Sequence, residues 1–200
     1  MTFFSSRLIQ TCLCACLLLA NLPAKAAEVP EPQSPLLTEA QRSLSRSRFD
    51  KALEQANSFL AQNPKDIQGR FIKAMALSQL GQTDEAIALY TQIIEEAPET
   101  PEPYNNLAVL HAQRGQFDQA RQALEMAILV NPDYAMAHEN LGDVYARLSV
   151  EQYRKAQLPS VRNNALDKKL KTLGEIVTTM PDQTAPRPIP ATRKTSTLPF

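Results

Sequence analysis

Two histidines, a pair of adjacent glutamates and three cysteines are the residues of this 200-residue chain whose types could do chemistry. Histidine can move a proton or bind a metal near neutral pH, a carboxylate pair can divide acid and base roles, and a thiolate is both nucleophile and metal ligand. Their placement argues against each. His111 and His138 stand at positions that a repeated helical pattern already accounts for, and no HExxH spacing joins them. Neighbours on a helix point to different sides, so Glu95 and Glu96 belong to a solvated face and not to a working pair. Cys12, Cys14 and Cys16 all lie in one apolar N-terminal stretch. No glycine-rich phosphate loop appears; Gly81 and Gly115 read as turns and Gly142 as a close helix contact. The chain is therefore expected to be no enzyme and to need no metal or other cofactor.

The two ends carry different signals. Arg7 precedes an apolar run from Leu8 to Leu22, and Ala24-Lys25-Ala26 offers a small-x-small cleavage site. That order reads as a signal peptide over residues 1–26, so a periplasmic protein is expected. The alternatives are an inner-membrane anchor through an uncleaved leader, or lipidation at Leu13-Cys14-Ala15-Cys16. Cleavage leaves no cysteine, hence no disulfide. It also removes Arg7 and Lys25, so the 21 basic residues fall to 19 against 21 acidic ones. Such a balance offers neither nucleic acid nor an anionic membrane a basic excess, so membrane contact is expected only through an uncleaved or lipidated leader. Residues 27–35 read as a proline-rich linker. Residues 181–200, with five prolines and no apolar periodicity, read as a disordered tail.

Between the ends a phrase repeats. GQTDEAIALYTQIIEEAP begins at Gly81, GQFDQARQALEMAILVNP begins at Gly115, and Pro64, Pro98 and Pro132 are spaced by 34 residues. A fixed period of this size marks stacked supersecondary units. Ala86, Tyr90, Ile93, Ile94 and Ala97 fall on one face of a helix, and Tyr104, Leu107, Ala108 and His111 on one face of the helix before the next turn. Glycine between them tolerates a left-handed turn, and Asn131-Pro132 stops the second helix.

Tyr104-x2-Leu107-Ala108-x2-His111, then Ala120-x3-Leu124 and Pro132, resembles the tetratricopeptide repeat, a helix-turn-helix unit of 34 residues. The next copy opens as His138-x2-Leu141-Gly142-x2-Tyr145. The resemblance implies an all-α solenoid of antiparallel helix pairs: an atypical pair over 36–65, repeats over 66–99 and 100–133, and a degenerate one over 134–158. Five residues around the turn are missing from that last unit, which leaves either a tight hairpin or one continuous helix. A capping helix over 159–180 follows, with Leu166, Leu170, Leu173, Val177 and Met180 on one face and Asn164 as its cap.

The resemblance also implies a non-catalytic scaffold or adaptor that holds a protein or extended peptide in a groove, and no small molecule. The alternative is a self-associating subunit of an envelope complex. Carried over position by position, the groove comprises Phe71, Met75, Asn105, Asn106, Val109, Glu139, Asn140, Asp143 and Arg147, with Glu102 at its acidic end. Some members of the family clamp a chaperone's terminal carboxylate with cations. Here those slots hold Met136 and Asn140, so that specificity is not expected. Asn106 and Asn140, one period apart, could form a short ladder of amides along a peptide backbone, each both donor and acceptor. The other role open to them is bonding to water or to neighbouring helices.

Overall fold

The computed structural model describes residues 34–157 and 163–180. The expected leader, most of the linker and the expected tail lie outside them. The described residues form eight helices and no strand: α1 (Pro35–Ser45), α2 (Phe49–Gln62), α3 (Ile67–Gln79), α4 (Thr83–Glu96), α5 (Pro101–Gln113), α6 (Phe117–Val130), α7 (Ala135–Ala156) and α8 (Asn164–Thr179). No helix among them is long and apolar enough to cross a membrane.

The helix ends follow from local chemistry. Pro35 and Pro101 open α1 and α5, where a missing N–H costs nothing. Asp66 caps α3 by accepting from the Gly69 N–H at 2.6 Å. Asn63, Ala97 and Asn131 end α2, α4 and α6, each followed by proline. Three tight turns join the pairs α1–α2, α3–α4 and α5–α6. In each, one N–H reaches back to the first helix: Arg48 to the Ser43 carbonyl, Gln82 to Leu77 and Gln116 to His111, all at 2.9 Å. Gly81 and Gly115 take the left-handed φ that this closure needs, 76° and 72°. At the first turn Ser47 does the same at φ 55° without being glycine, an exception that its side chain does not announce.

Packing repeats with the sequence. One buried cluster joins α1, α2 and α3 through Leu37, Leu44, Phe59 and Ile72. A second joins α3, α4 and α5 through Leu77, Tyr90, Ile93 and Leu110. A third joins α5, α6 and α7 through Tyr104, Leu124, Ala127 and Val144. Each cluster needs two helices of one pair and the first helix of the next, which is why no pair could bury its apolar face alone. Ala52, Ala86 and Ala120, one period apart, are fully buried and let the paired helices approach closely.

The last unit keeps one of the two forms the sequence left open. Residues 135–156 are one continuous helix of 22 residues, about 33 Å long at 1.5 Å per residue. The deletion removed the glycine turn, and nothing else in α7 stops a helix. Two expectations are corrected as a result. Gly142 makes no close contact, since a Cβ there would meet nothing within 4 Å; the second helix it would have met does not exist. The cap of α8 is Asn163, whose Oδ1 accepts from the Leu166 N–H at 3.1 Å, and Asn164 is already helical. Leu166 is buried on α8, while Leu170, Leu173 and Val177 are half-buried. The helix lies along α7, with Gln157 bonded to Asp167 and the Lys169 ammonium 5.2 Å from the Tyr153 ring centre.

Candidate functional site

The first helices of successive units, α3, α5 and α7, carry all the residues expected to line a groove. Their faces are set by register. Residues three, six and ten places into each unit meet the preceding pair: Gly69, Pro103 and Ala137 are buried, as are Ile72 and Asn140, and Ala76, Leu110 and Val144. Residues at the fifth and ninth places fall between that face and the one against the unit's own second helix.

Phe71 and Met75 occupy those intermediate places on α3. Both are half-buried. The Phe71 ring meets Tyr90 edge-on, with centroids 5.8 Å apart at 65°, and Met75 packs against the clusters on either side of α3. Val109 occupies the same row on α5 and is also half-buried. These three form a row of partly exposed apolar groups. Glu102 and Glu139, exposed at the starts of α5 and α7, give the adjoining surface negative charge. The charge is felt nearby: burial, with Glu102 as a second cause, pushes the Tyr134 phenol up to about 12. Asp143 is half-buried on α7. Arg147 lays its guanidinium over Phe117, 5.9 Å from the ring centre, and its Nε is buried without a hydrogen-bond partner.

The asparagines are not arranged as a ladder. Asn140 is only 3% exposed and donates from Nδ2 to Asn105 Oδ1 at 2.7 Å. Asn105, 1% exposed, reaches Asn106 Oδ1 at 3.5 Å, a weak bond, and Asn106 donates to the Tyr90 hydroxyl at 3.3 Å. The reason is register: the sixth place faces the preceding unit, so Asn106 turns to Tyr90 of α4 and Asn140 to Asn105 of α5. The result is a polar thread through α7, α5 and α4. It satisfies the buried Tyr90 hydroxyl, whose pKa burial raises. This is the bonding to neighbouring helices that the sequence left open for the pair.

Other polar groups bond within the scaffold. His111 Nδ1 donates to Gln116 Oε1 at 2.8 Å, bracing the turn, and His138 Nε2 donates to the Pro132 carbonyl at 2.8 Å. Among the described residues no three His, Cys, Asp or Glu side chains gather as metal ligands would. One pair escaped the sequence reading. Arg70 forks onto Glu96, Nη1 to Oε1 at 2.7 Å and Nη2 to Oε2 at 2.5 Å, and reaches the Lys65 carbonyl at 3.1 Å. The guanidinium thus fills the place where Tyr104 packs its ring in the following unit. Glu96 is accordingly no free member of a solvated face. The signal was an arginine at an aromatic position, 26 residues before a glutamate.

Two family models described as tetratricopeptide repeat match residues 37–101 and 77–141, together more than half of the chain. Residues 37–141 of the chain are thus tetratricopeptide repeats. It is 31% identical over 96 residues to the "Tetratricopeptide repeat and J domain-containing co-chaperone DNJ1" of Fusarium oxysporum f. sp. lycopersici, an alignment covering 48% of this chain and 18% of that protein. To the "Heat-shock protein cognate (HSC) co-chaperone sgt12" of Aspergillus fumigatus it is 36% identical over 73 residues, 36% of this chain and 21% of that one. Both matches thus take in a small part of the relative. The fold resembles the crystal structure of MamA, with TM-score 0.53 at 18% identity over 70% of this chain and 75% of that one. It also resembles TTC0263, a thermophilic tetratricopeptide-repeat protein of Thermus thermophilus, with TM-score 0.54 at 25% identity over 70% and 73%. The tetratricopeptide repeat is in general a non-catalytic module for protein interaction.

Proposed function

We propose that this protein is a non-catalytic periplasmic adaptor that holds an extended polypeptide segment along α3, α5 and α7. The observation that carries the reading is the row of Phe71, Met75 and Val109, apolar groups left partly exposed on first helices whose other faces are packed. A segment suited to it presents an apolar side chain to that row and a cation to Glu102 and Glu139. Asn105 and Asn140 are buried and Asn106 is half-buried in the polar thread, so this reading draws on the apolar row and not on an asparagine ladder. The pattern read in residues 1–26 as a signal peptide, Arg7 before an apolar run and a small-x-small site, supports a location in the envelope.

The test is affinity capture from an envelope extract with wild type and Phe71→Glu/Val109→Glu at equal folded fraction. Capture of a polypeptide that the double variant loses supports the adaptor, and capture unchanged by it removes the groove.

A second reading, a self-associating subunit, is favoured by α6. Met126 and Leu129 are 41% and 72% exposed, where the corresponding residues of α4 are Gln92 and Glu95. Sedimentation separates the two readings. A concentration-independent monomer favours the adaptor, and a dimer dissociated by Leu129→Gln favours self-association.

A further inference from the structure

The turn between α1 and α2 differs from its two counterparts in charge. Arg42, Arg46, Arg48 and Lys51 surround it; one period later the same places hold Ala76, Leu80, Gln82 and Glu85, and after another period Leu110, Arg114, Gln116 and Gln119. Arg114 is neutralised by Asp84 at 2.5 Å. The four cations at the first turn are exposed, and among the described residues none forms an ion pair or side-chain hydrogen bond. A hollow of about 180 Å³ opens beside them, walled by the four cations with Glu39, Ser43 and Gln55. Its carboxylate is already engaged: Ser43 Oγ donates to Gln55 Oε1 at 2.7 Å, and Gln55 Nε2 donates to Glu39 Oε2 at 3.2 Å. Asp50 shares the turn but is not part of the wall.

A terminal repeat needs a polar outer face, and mixed charge would supply it. Four like charges around a hollow do something else: they repel one another until an anion enters. Arg42 and Arg46 suit the negative end of α1, whereas Arg48 and Lys51 stand at the start of α2, where the helix dipole disfavours cations. Sequences depart from a local rule of this kind where function requires it. We propose that this hollow binds a phosphate group. Three arginines can present paired N–H donors to its oxygens, and the net positive wall offsets a dianion. Inorganic phosphate and a phospholipid headgroup offer the same chemistry.

Two arms separate these sources, both with the full chain at low ionic strength. Inorganic phosphate is titrated calorimetrically, and vesicles of phosphatidylcholine doped with phosphatidic acid are tested by co-flotation. Arg48→Gln and Lys51→Gln should each weaken binding about tenfold or more, the loss expected for one charge-assisted hydrogen bond. Arg114→Gln, at the third turn, should leave it unchanged. Saturable phosphate binding with this pattern supports a soluble ligand; vesicle binding alone with this pattern supports a headgroup. Absence of binding in both arms, binding that survives the two substitutions, or equal weakening by Arg114→Gln overturns the proposal. All three side chains are exposed, so a circular dichroism melt can establish that each variant folds.

Discussion

The α5–α6 hairpin and helix α7 begin with the same phrase and use it differently. In α5, Tyr104 and Ala108 are buried against α6 and His111 braces the turn. In α7 the matching residues, His138, Gly142 and Tyr145, are exposed. The other face of α7 remains packed as in α5, with Ala137, Asn140 and Val144 buried against the preceding pair. The motif therefore records two separate contacts, one with the preceding unit and one with the unit's own second helix. Losing the turn removed the second contact and left the first intact.

The largest test of that division compares two tyrosines. Tyr90 is 1% exposed at the centre of the α3–α4–α5 cluster. Tyr90→Ala should cost about 3–5 kcal/mol, and it also strands Asn106. Tyr145 is 47% exposed, with its hydroxyl 3.2 Å from Glu125, so Tyr145→Ala should stay within about 0.5 kcal/mol. Equal losses in denaturant unfolding would mean that Tyr145 is buried against a neighbouring helix after all.

A smaller effect is expected at Arg70, whose side chain is 10% exposed and depends on the half-exposed Glu96. The hydrogen bond from Arg70 holds the Glu96 carboxyl below its usual range. A lowered carboxyl pKa contributes fully above the ordinary glutamate value of about 4.3. The contribution fades as pH falls through the lowered value, because the unfolded state then binds the proton more readily. Glu96→Gln should melt below wild type at neutral pH, with the gap closing in acid. A gap that persists at low pH would assign the loss to packing and not to charge.

The sequence made the helix pairs legible because the period, the closing prolines and the buried alanines are local signals that recur. It was less informative wherever the outcome depended on a neighbouring unit. Asn106 and Asn140 share a register position, but periodicity does not say whether that face meets solvent or the helix before it. Gly142 fits the motif, and only the absent partner helix makes its purpose void. Gly69 shows the opposite: a Cβ there would come within 2.8 Å of the Phe59 ring, a close approach invisible without knowing where α2 lies. Ser47 takes the turn conformation because its backbone closure is shared with two glycine turns, a fact no side-chain pattern carries.

Glycine gives the finest version of the comparison, because the same substitution should change sign between the two regions. Gly115 sits at φ 72°, where a Cβ meets the following carbonyl, so Gly115→Ala should destabilise by about 1–2 kcal/mol. Gly142 lies inside a continuous helix, exposed, with open space where a Cβ would go. Alanine there fits the helix without strain and narrows the unfolded ensemble, so Gly142→Ala should stabilise by about 0.5–1 kcal/mol. Thermal melts of the two single variants and the double variant are sufficient. The sites lie in different elements with no shared contact, so their effects should add within about 0.5 kcal/mol. A loss at Gly142 would show that the backbone of α7 bends or meets a partner there, and the last unit would then be a hairpin in solution.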